Sequence, residues 1–277
     1  MSKKTASLSV VIIAKNEEKN IEECLKTVVW ADEVLLIDSG SIDKTIEIAK
    51  KYKSRVIKYL KGNNYSDWRN KGLSKAKSDW ILYVDADEKI TPDLRNEIIK
   101  VISEYAPNLK QKDSQTHSSY TEGEENAVAY AIPRRNIILG KELKHGGFWP
   151  DYQKRLFLKK ALKGWKGELH EYPELYNGFN KEVKKLEKPM IHLKKETLSD
   201  MVEKTNRWSE IEAKLLYNDG HPKMNIPRFI SAMFREFWIR MIKEKAFLDG
   251  KVGVVFALYQ VFSRFVTYAK LWELQQK

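Results

Sequence analysis

Acidic side chains follow several of the apolar segments in the first third of the chain. Glu17 follows the first such segment, Asp38 the second, and Asp85 and Asp87 the fourth. If these segments are parallel strands, their carboxyl ends meet at one edge of a sheet, which is where open α/β sheets bind ligands. Carboxylates at alternate positions after a buried strand can point at one site, and such oxygen ligands suit Mg²⁺ or Mn²⁺. A turn or helix-cap role is the alternative at each position.

The elements that position these carboxylates alternate between strand and helix patterns. We predict strands over residues 8–13, 34–37, 55–59 and 80–84 and helices over 20–28 and 42–49. A further helix is predicted to begin at Thr91-Pro92, because threonine is a good N-cap and proline fits the first turn. This alternation predicts a three-layer α/β unit with a mostly parallel sheet.

The pattern changes after this unit. Residues 107–126 are polar and contain almost no aliphatic side chains, which predicts a flexible surface insertion. Short strand-like pieces follow at 127–133 and 154–158, and from Thr197 onward the pattern is helical.

Composition limits the class of partner and the compartment. The formal net charge of +12 favours an anionic partner, with a solvated lysine-rich surface as the alternative. No nucleic-acid-binding motif accompanies the basic residues, so we expect no nucleic-acid partner. The one cysteine, Cys24, excludes an intrachain disulfide, and the N-terminus has no apolar signal-peptide core. We therefore expect the protein in the cytoplasm, with Cys24 as buried packing.

The motifs, taken in order, resemble those of the family-two inverting glycosyltransferases. The matching stretches are 9–18 (SVVIIAKNEE), 37–45 (IDSGSIDKT), 69–72 (RNKG) and 84–88 (VDADE). Three later stretches resemble a narrower group, the β-glucosyltransferases of lipopolysaccharide core assembly: 145–151 (HGGFWPD), 155–157 (RLF) and 169–171 (LHE). The resemblance implies a GT-A-like α/β/α nucleotide-diphospho-sugar transferase domain with a helical C-terminal extension.

The resemblance also implies roles for individual residues. Ala14 and Glu17 would line the nucleotide pocket, and Asp38 would hold the base. Arg69 and Asn70 would lie beside the nucleotide.

A divalent metal, Mn²⁺ or Mg²⁺, would bind at Asp87 and grip the diphosphate. Asp85 would lie near the ribose or the metal. His192 is a further metal or diphosphate contact by the same resemblance, with a structural histidine in a strand as an equal alternative.

Inverting transfer needs a general base that removes the proton of the acceptor hydroxyl. The resemblance places an acidic residue on the acceptor side after the D-x-D motif. Glu171 and Glu168 are the candidates, and we favour Glu171 because it belongs to the LHE stretch. Ordinary surface-loop carboxylates are the alternative.

The C-terminal helices interleave large aromatic residues with basic ones. The longest uncharged run, 252–263, is shorter than the ~20 apolar residues of a membrane span. A basic, aromatic and amphipathic helix pair suits the membrane interface instead. Packing of the apolar faces on the catalytic domain is the alternative.

Together with the C-terminal pattern, the resemblance implies an inverting, metal-dependent hexosyltransferase at the inner face of the cell membrane. Its donor would be a nucleotide-diphosphate sugar such as UDP-glucose, and its acceptor a lipid-linked saccharide such as lipopolysaccharide inner core. The predicted divisions are residues 1–106 for the donor, 107–126 for the insertion, 127–196 for the acceptor and 197–277 for the helical extension. The alternatives are another polysaccharide or glycolipid glycosyltransferase, a nucleotidyltransferase, and a non-catalytic membrane-docking protein.

Overall fold

The first strand, β1 (Leu8–Ala14), is buried along its whole length. It pairs in parallel with β2 (Glu33–Asp38) on one side and with β4 (Trp80–Asp85) on the other. β3 (Arg55–Lys58) continues the sheet, parallel to β2. A strand covered on both faces is a nearly continuous apolar run in the sequence, so the position of β1 could be predicted accurately. All the strands predicted in this part are confirmed, with ends that differ by one or two residues.

The computed structural model describes residues 6–62, 64–110, 127–168, 171–195 and 197–277. The chain forms two compact units. The first consists of Met1–Arg134 with Tyr152–His192, and the second of Arg135–Asp151 with Leu193–Lys277. These units reflect the density of contacts, and the donor and acceptor parts outlined from the sequence stay predictions.

The sheet of the first unit is mixed rather than mostly parallel. Its strand order is β3-β2-β1-β4-β8-β6-β12-β5, with β11 beside β6. β8 is antiparallel to β4, and β12 is antiparallel to β5. The later strands of the chain are β5 (Glu88–Ile90), β6 (Ala129–Ile138), β7 (Lys141–Leu143), β8 (Asp151–Leu158), β9 (Leu162–Lys166), β10 (Tyr172–Leu175), β11 (Val183–Lys185) and β12 (Met190–Lys194). Of these, β9 and β10 form a separate antiparallel pair.

Helices cover both faces of this sheet. The helices of the first unit are α1 (Ile21–Lys26), α2 (Thr45–Lys51), α3 (Tyr65–Lys75) and α4 (Pro92–Lys110). One face buries Val10 and Ile12 of β1 with residues of α1, α2 and α4. The other face buries Val11 with Leu73 of α3. The predicted three-layer α/β architecture is confirmed.

Helix α4 begins as predicted and continues further than predicted. The backbone N–H of Leu94 donates to Thr91 Oγ1 at 3.2 Å, which is the expected N-cap. The helix continues to Lys110, so the predicted start of the insertion at 107 falls inside it. Extending a helix that has already formed costs little free energy, so polar residues can continue it. The polar composition of this stretch therefore gave no sign that the helix extends past residue 106. The rest of the predicted insertion, 111–126, lies outside the described residues.

The second unit is mainly helical from Thr197, as predicted. Thr197 and Asp200 form a capping box at the start of α5 (Leu198–Asn218). α6 (Ile226–Phe237) continues into a π-helical segment, Trp238–Lys243, and α7 (Gly250–Leu274) follows a 3₁₀ turn, Ala246–Asp249. In the described chain, one stretch, Ala246–Leu274, is long and apolar enough to cross a membrane by length and composition alone. This is weak evidence, because core helices of soluble proteins pass the same test.

The close approach of α3 to β1 gives a first prediction. A Cβ atom added at Gly72 would lie 2.3 Å from Val11 Cγ1, so Gly72→Ala should destabilise the protein by about 1–3 kcal/mol through overpacking. Urea unfolding measures the loss. In the Val11→Ala background the same glycine substitution should cost clearly less, whereas equal costs in both backgrounds would contradict this packing.

Candidate active site

A buried glutamate fixes the turn that carries the D-x-D motif. β4 ends at Asp85, Ala86 and Asp87 form the turn, and β5 begins at Glu88. The side chain of Glu88 is completely buried, and its Oε2 accepts the backbone N–H of Asp85 at 2.9 Å. The last residue of β4 and the first of β5 are thereby tied together, which limits the positions open to Asp87.

Two arginines compensate the buried charge of Glu88. Arg155 of β8 contacts Asp85 Oδ2 and donates to Glu88 Oε1 at 2.8 Å. Arg134 of β6 donates to the same Glu88 oxygen at 3.2 Å. Arg155 is aligned for this role because β8 lies antiparallel to β4.

Arg69 links the D-x-D motif to the predicted base. Its Nη2 donates to Asp85 Oδ1 at 3.1 Å and to Glu171 Oε1 at 3.2 Å. The guanidinium carbon lies 4.8 Å from the centroid of the Trp165 ring, and only 2% of the residue is exposed. An arginine held in this way fixes two carboxylates from distant parts of the sequence beside each other.

The electrostatics of Asp85 follow from this arrangement. Burial alone would raise the pKa of its carboxyl group, but the guanidinium groups of Arg155 and Arg69 outweigh burial and hold the pKa well below its usual range. Asp85 is therefore ionised at neutral pH, with both oxygens already accepting from arginines. This leaves it better suited to shaping the site than to direct metal ligation.

Asp87 and His192 form a second pair in the same unit. β12 is antiparallel to β5 and sets His192 opposite Glu88 in register. His192 Nε2 lies 3.1 Å from Asp87 Oδ2, and the histidine is buried while the Asp87 side chain is 28% exposed. The structure thus brings together two of the residues predicted to bind metal.

This pair can fit a divalent ion that also binds substrate. In the described residues, no group of three or more His, Cys, Asp and Glu side chains is arranged to hold a metal. Mg²⁺ and related ions, however, keep several waters and bind through one or two protein ligands plus substrate phosphates. The carboxylate of Asp87 and the imidazole of His192 fit such a partial donor set.

The remaining predicted residues have local partners. The Asp38 carboxylate accepts the backbone N–H groups of Gly40 and Ser41 at 3.1–3.3 Å, so it shapes its own loop. The Asn70 side chain exchanges two hydrogen bonds with the backbone of Trp165, at 2.8 and 2.9 Å.

Ala14 and Glu17 lie at and just after the carboxyl end of β1, and Glu168 lies between β9 and β10. Ala14 is buried at the end of β1, and Glu17 Oε2 accepts from Asn20 Nδ2 at 2.9 Å. Glu168 is exposed. Leu169 and His170, which contributed to the resemblance around Glu171, lie outside the described residues.

No role is predicted from the sequence for Glu88, Arg134 or Arg155. Glu88 was quoted as the end of the VDADE motif and Arg155 as the start of RLF. Glu88 and Arg155 are 67 positions apart, and no rule of local spacing pairs residues so distant. Their presence in motifs that carry the resemblance was the one sign in the sequence that they matter. Cys24 is buried, as expected. Burial raises the pKa of its thiol, and the nearby carboxylates raise it further.

Helices cover both faces of the sheet, and an anchored D-x-D turn follows the end of β4. These features together are typical of a class of α/β transferases. The chain belongs to glycosyl transferase family 2, whose family model matches residues 9–183. It is a glycosyltransferase by this membership. A glycosyltransferase of Rickettsia bellii whose own role is uncharacterised is 29% identical and aligns with 98% of this chain and 87% of its own length.

Two further proteins are more distant. The lipopolysaccharide core biosynthesis glycosyltransferase LpsC of Rhizobium meliloti is 21% identical over 96% of this chain and 92% of its own length. The structure of S. aureus TarS residues 1–349 in complex with UDP-GlcNAc is 16% identical, with a TM-score of 0.47 over 98% of this chain and 91% of that one.

The buried network gives a second prediction. Arg155→Met would remove a positive charge that compensates the carboxylates of Asp85 and Glu88. Breaking a buried ion pair in this way costs about 3–5 kcal/mol of stability. Urea unfolding is the measurement. Lys51→Met, which removes an exposed pair with Glu47, is the control and should leave the unfolding midpoint unchanged. Equal midpoints for the Arg155 variant and the wild type would show that the network does not stabilise the fold.

Proposed function

We propose that the protein is an inverting, metal-dependent glycosyltransferase that moves a hexose from a nucleotide-diphosphate donor to a lipid-linked saccharide. The observation that carries this proposal is the bridge from Asp85 through Arg69 to Glu171. It sets a carboxylate from the later part of the chain beside the D-x-D turn. A general base has to lie close to the bound donor, and Glu171 would meet this requirement with a donor bound at the D-x-D turn.

The chemistry assigned to Glu171 is proton removal. The acceptor hydroxyl gives its proton to the Glu171 carboxylate while its oxygen forms a bond to the anomeric carbon of the donor sugar. The bond from that carbon to the diphosphate oxygen breaks, and its electron pair leaves with the nucleoside diphosphate. Attack from the face opposite the leaving group inverts the configuration at the anomeric carbon.

Asp87 and His192 would hold a divalent ion in this proposal. When bound, Mn²⁺ or Mg²⁺ neutralises the charge that develops on the diphosphate. Asp85 would orient the turn through Arg69 and Arg155. Ala14, Glu17, Asp38 and Asn70 stay predicted as the lining of the nucleotide pocket.

The donor, acceptor and location extend the proposal. The resemblance to lipopolysaccharide core glucosyltransferases favours UDP-glucose, and the similarity to LpsC supports a lipopolysaccharide core acceptor. A single cysteine fits a reducing compartment, and the basic, aromatic C-terminal helices support peripheral association with the inner face of the membrane. Another lipid-linked saccharide is the alternative acceptor.

The two candidate bases offer a matched pair of substitutions. Glu171→Gln should lower kcat for UDP release from UDP-glucose about 10²–10⁴-fold, because a positioned base contributes that much. Its KM for the donor should stay near the wild-type value. Glu168→Gln, three residues away and exposed, should behave like the wild type.

The assay uses purified lipopolysaccharide inner core as the acceptor. An Arg69→Lys variant, which keeps the charge but loses the two-way bridge, should also lose kcat. Full activity of Glu171→Gln, or a loss confined to Glu168→Gln, would contradict the assignment of the base.

A further inference from the structure

An apolar stripe lies exposed along α6. Ile226, Ile230, Phe234 and Phe237 recur at helical spacing, so they share one side of the helix. Their exposed fractions are 74%, 65%, 63% and 36%. A helix that only packed on a core would bury such a face, and this one presents it outward.

Helix α7 exposes a second stripe. Val255, Leu258, Phe262, Phe265 and Trp272 recur at steps of three, four, three and seven residues, and each is between 41% and 48% exposed. The two helices contact each other beside these stripes, where the partly buried Phe229 of α6 lies against Phe265 with ring centroids 5.9 Å apart. We call the two stripes together the apolar surface.

The inner side of α7 is held against α5 by polar contacts. Arg264 donates to Glu212 Oε1 at 3.0 Å, and Thr267 Oγ1 donates to Glu212 Oε2 at 3.0 Å. Tyr259 OH donates to the Met201 carbonyl oxygen at 2.8 Å. The engaged side of α7 also buries Phe256, Ala257 and Leu271, while the other side exposes its apolar stripe, and such an exposed stripe can lie in a membrane interface.

A basic recess lies beside this surface. Arg228 and Arg235 are seven residues apart and therefore on one side of α6, and with His221, Ser231 and Tyr268 they line a cavity of about 240 Å³. In the part of the chain that the structure describes, neither guanidinium has a carboxylate partner. Planar guanidinium groups bind phosphate with paired hydrogen bonds.

We propose that the apolar surface inserts among the acyl chains of an anionic bilayer while the recess binds a lipid phosphate. The proposal rests on the membrane association proposed above and assigns it to named residues. The segment from Ile226 to Leu274 has eight basic residues and four acidic ones, which favours an anionic lipid surface over a second, equally basic copy of this chain. Trp238 and Trp272, about half exposed, are of the type enriched at membrane interfaces.

The test is co-sedimentation of the full chain with phosphatidylcholine vesicles, with and without 30% phosphatidylglycerol, at low and high salt. The wild type should bind the anionic vesicles at low salt and release with added salt. Ile230→Gln/Phe234→Gln should lower the partition coefficient at least tenfold. The matched control Val29→Gln/Ile211→Gln removes exposed apolar residues elsewhere and should bind like the wild type.

The recess is tested separately. Arg228→Gln/Arg235→Gln should lose roughly tenfold or more in binding to the anionic vesicles, since each basic residue near such a surface adds appreciably to binding. Lys50→Gln/Lys100→Gln, with the same change of charge on exposed residues of α2 and α4, should lose clearly less. Equal losses for the two pairs would overturn the assignment of the recess.

Two further outcomes would overturn the docking proposal. One is a wild type that binds no vesicles, and the other is a wild-type dimer in sedimentation velocity that Ile230→Gln/Phe234→Gln abolishes without any vesicle binding. All variants alter exposed residues, so unchanged thermal unfolding serves as the control for folding. Turnover of UDP-glucose in solution is scored independently, so a failure of membrane docking is distinguishable from a failure of sugar transfer.

Discussion

The candidate site depends on how the charge of Asp85 and Glu88 is compensated. Glu88 is completely buried, and an unpaired buried carboxylate is very costly. Arg134 and Arg155 from two neighbouring strands, with Arg69 from α3, provide the compensation. Because these arginines come from separate elements, the D-x-D turn keeps its shape only when the whole first unit is folded.

This constraint also orders the residues that would do the chemistry. Asp85 is engaged with arginines, so the proposed metal site falls to Asp87 beside His192 and the proposed proton removal to Glu171 beside Arg69. The proposal therefore assigns different tasks to the two aspartates of one motif. The D-x-D pattern alone does not distinguish them, because both residues look like oxygen ligands in the sequence.

Local patterns predicted the strands and three of the helices in the first part of the fold, because the strands are buried apolar runs and these helices repeat apolar residues on one face. Helix α3 was not predicted, although Asn64 caps it, because it has few apolar residues. Strand-like pieces were predicted at 127–133 and 154–158, where β6 and β8 lie, but the antiparallel pairing of β8 with β4 and of β12 with β5 was not, because long-range contacts set it. Glu88 and Arg155 were missed as partners for the same reason, as they meet only after β8 aligns with β4. The Asp87–His192 pair was anticipated through the resemblance, and the spacing of the residues could not have shown it.

The most direct test of the proposed site is thermal unfolding with UDP, with Mn²⁺ or with EDTA, for the wild type and Asp87→Asn. A ligand that binds the folded state raises Tm by mass action. If Asp87 holds the metal, UDP raises the Tm of the wild type by several degrees with Mn²⁺, much less with EDTA, and equally little for Asp87→Asn under both conditions. An equal shift by UDP in EDTA and in Mn²⁺, or an undiminished Mn²⁺-dependent shift in Asp87→Asn, would contradict this assignment.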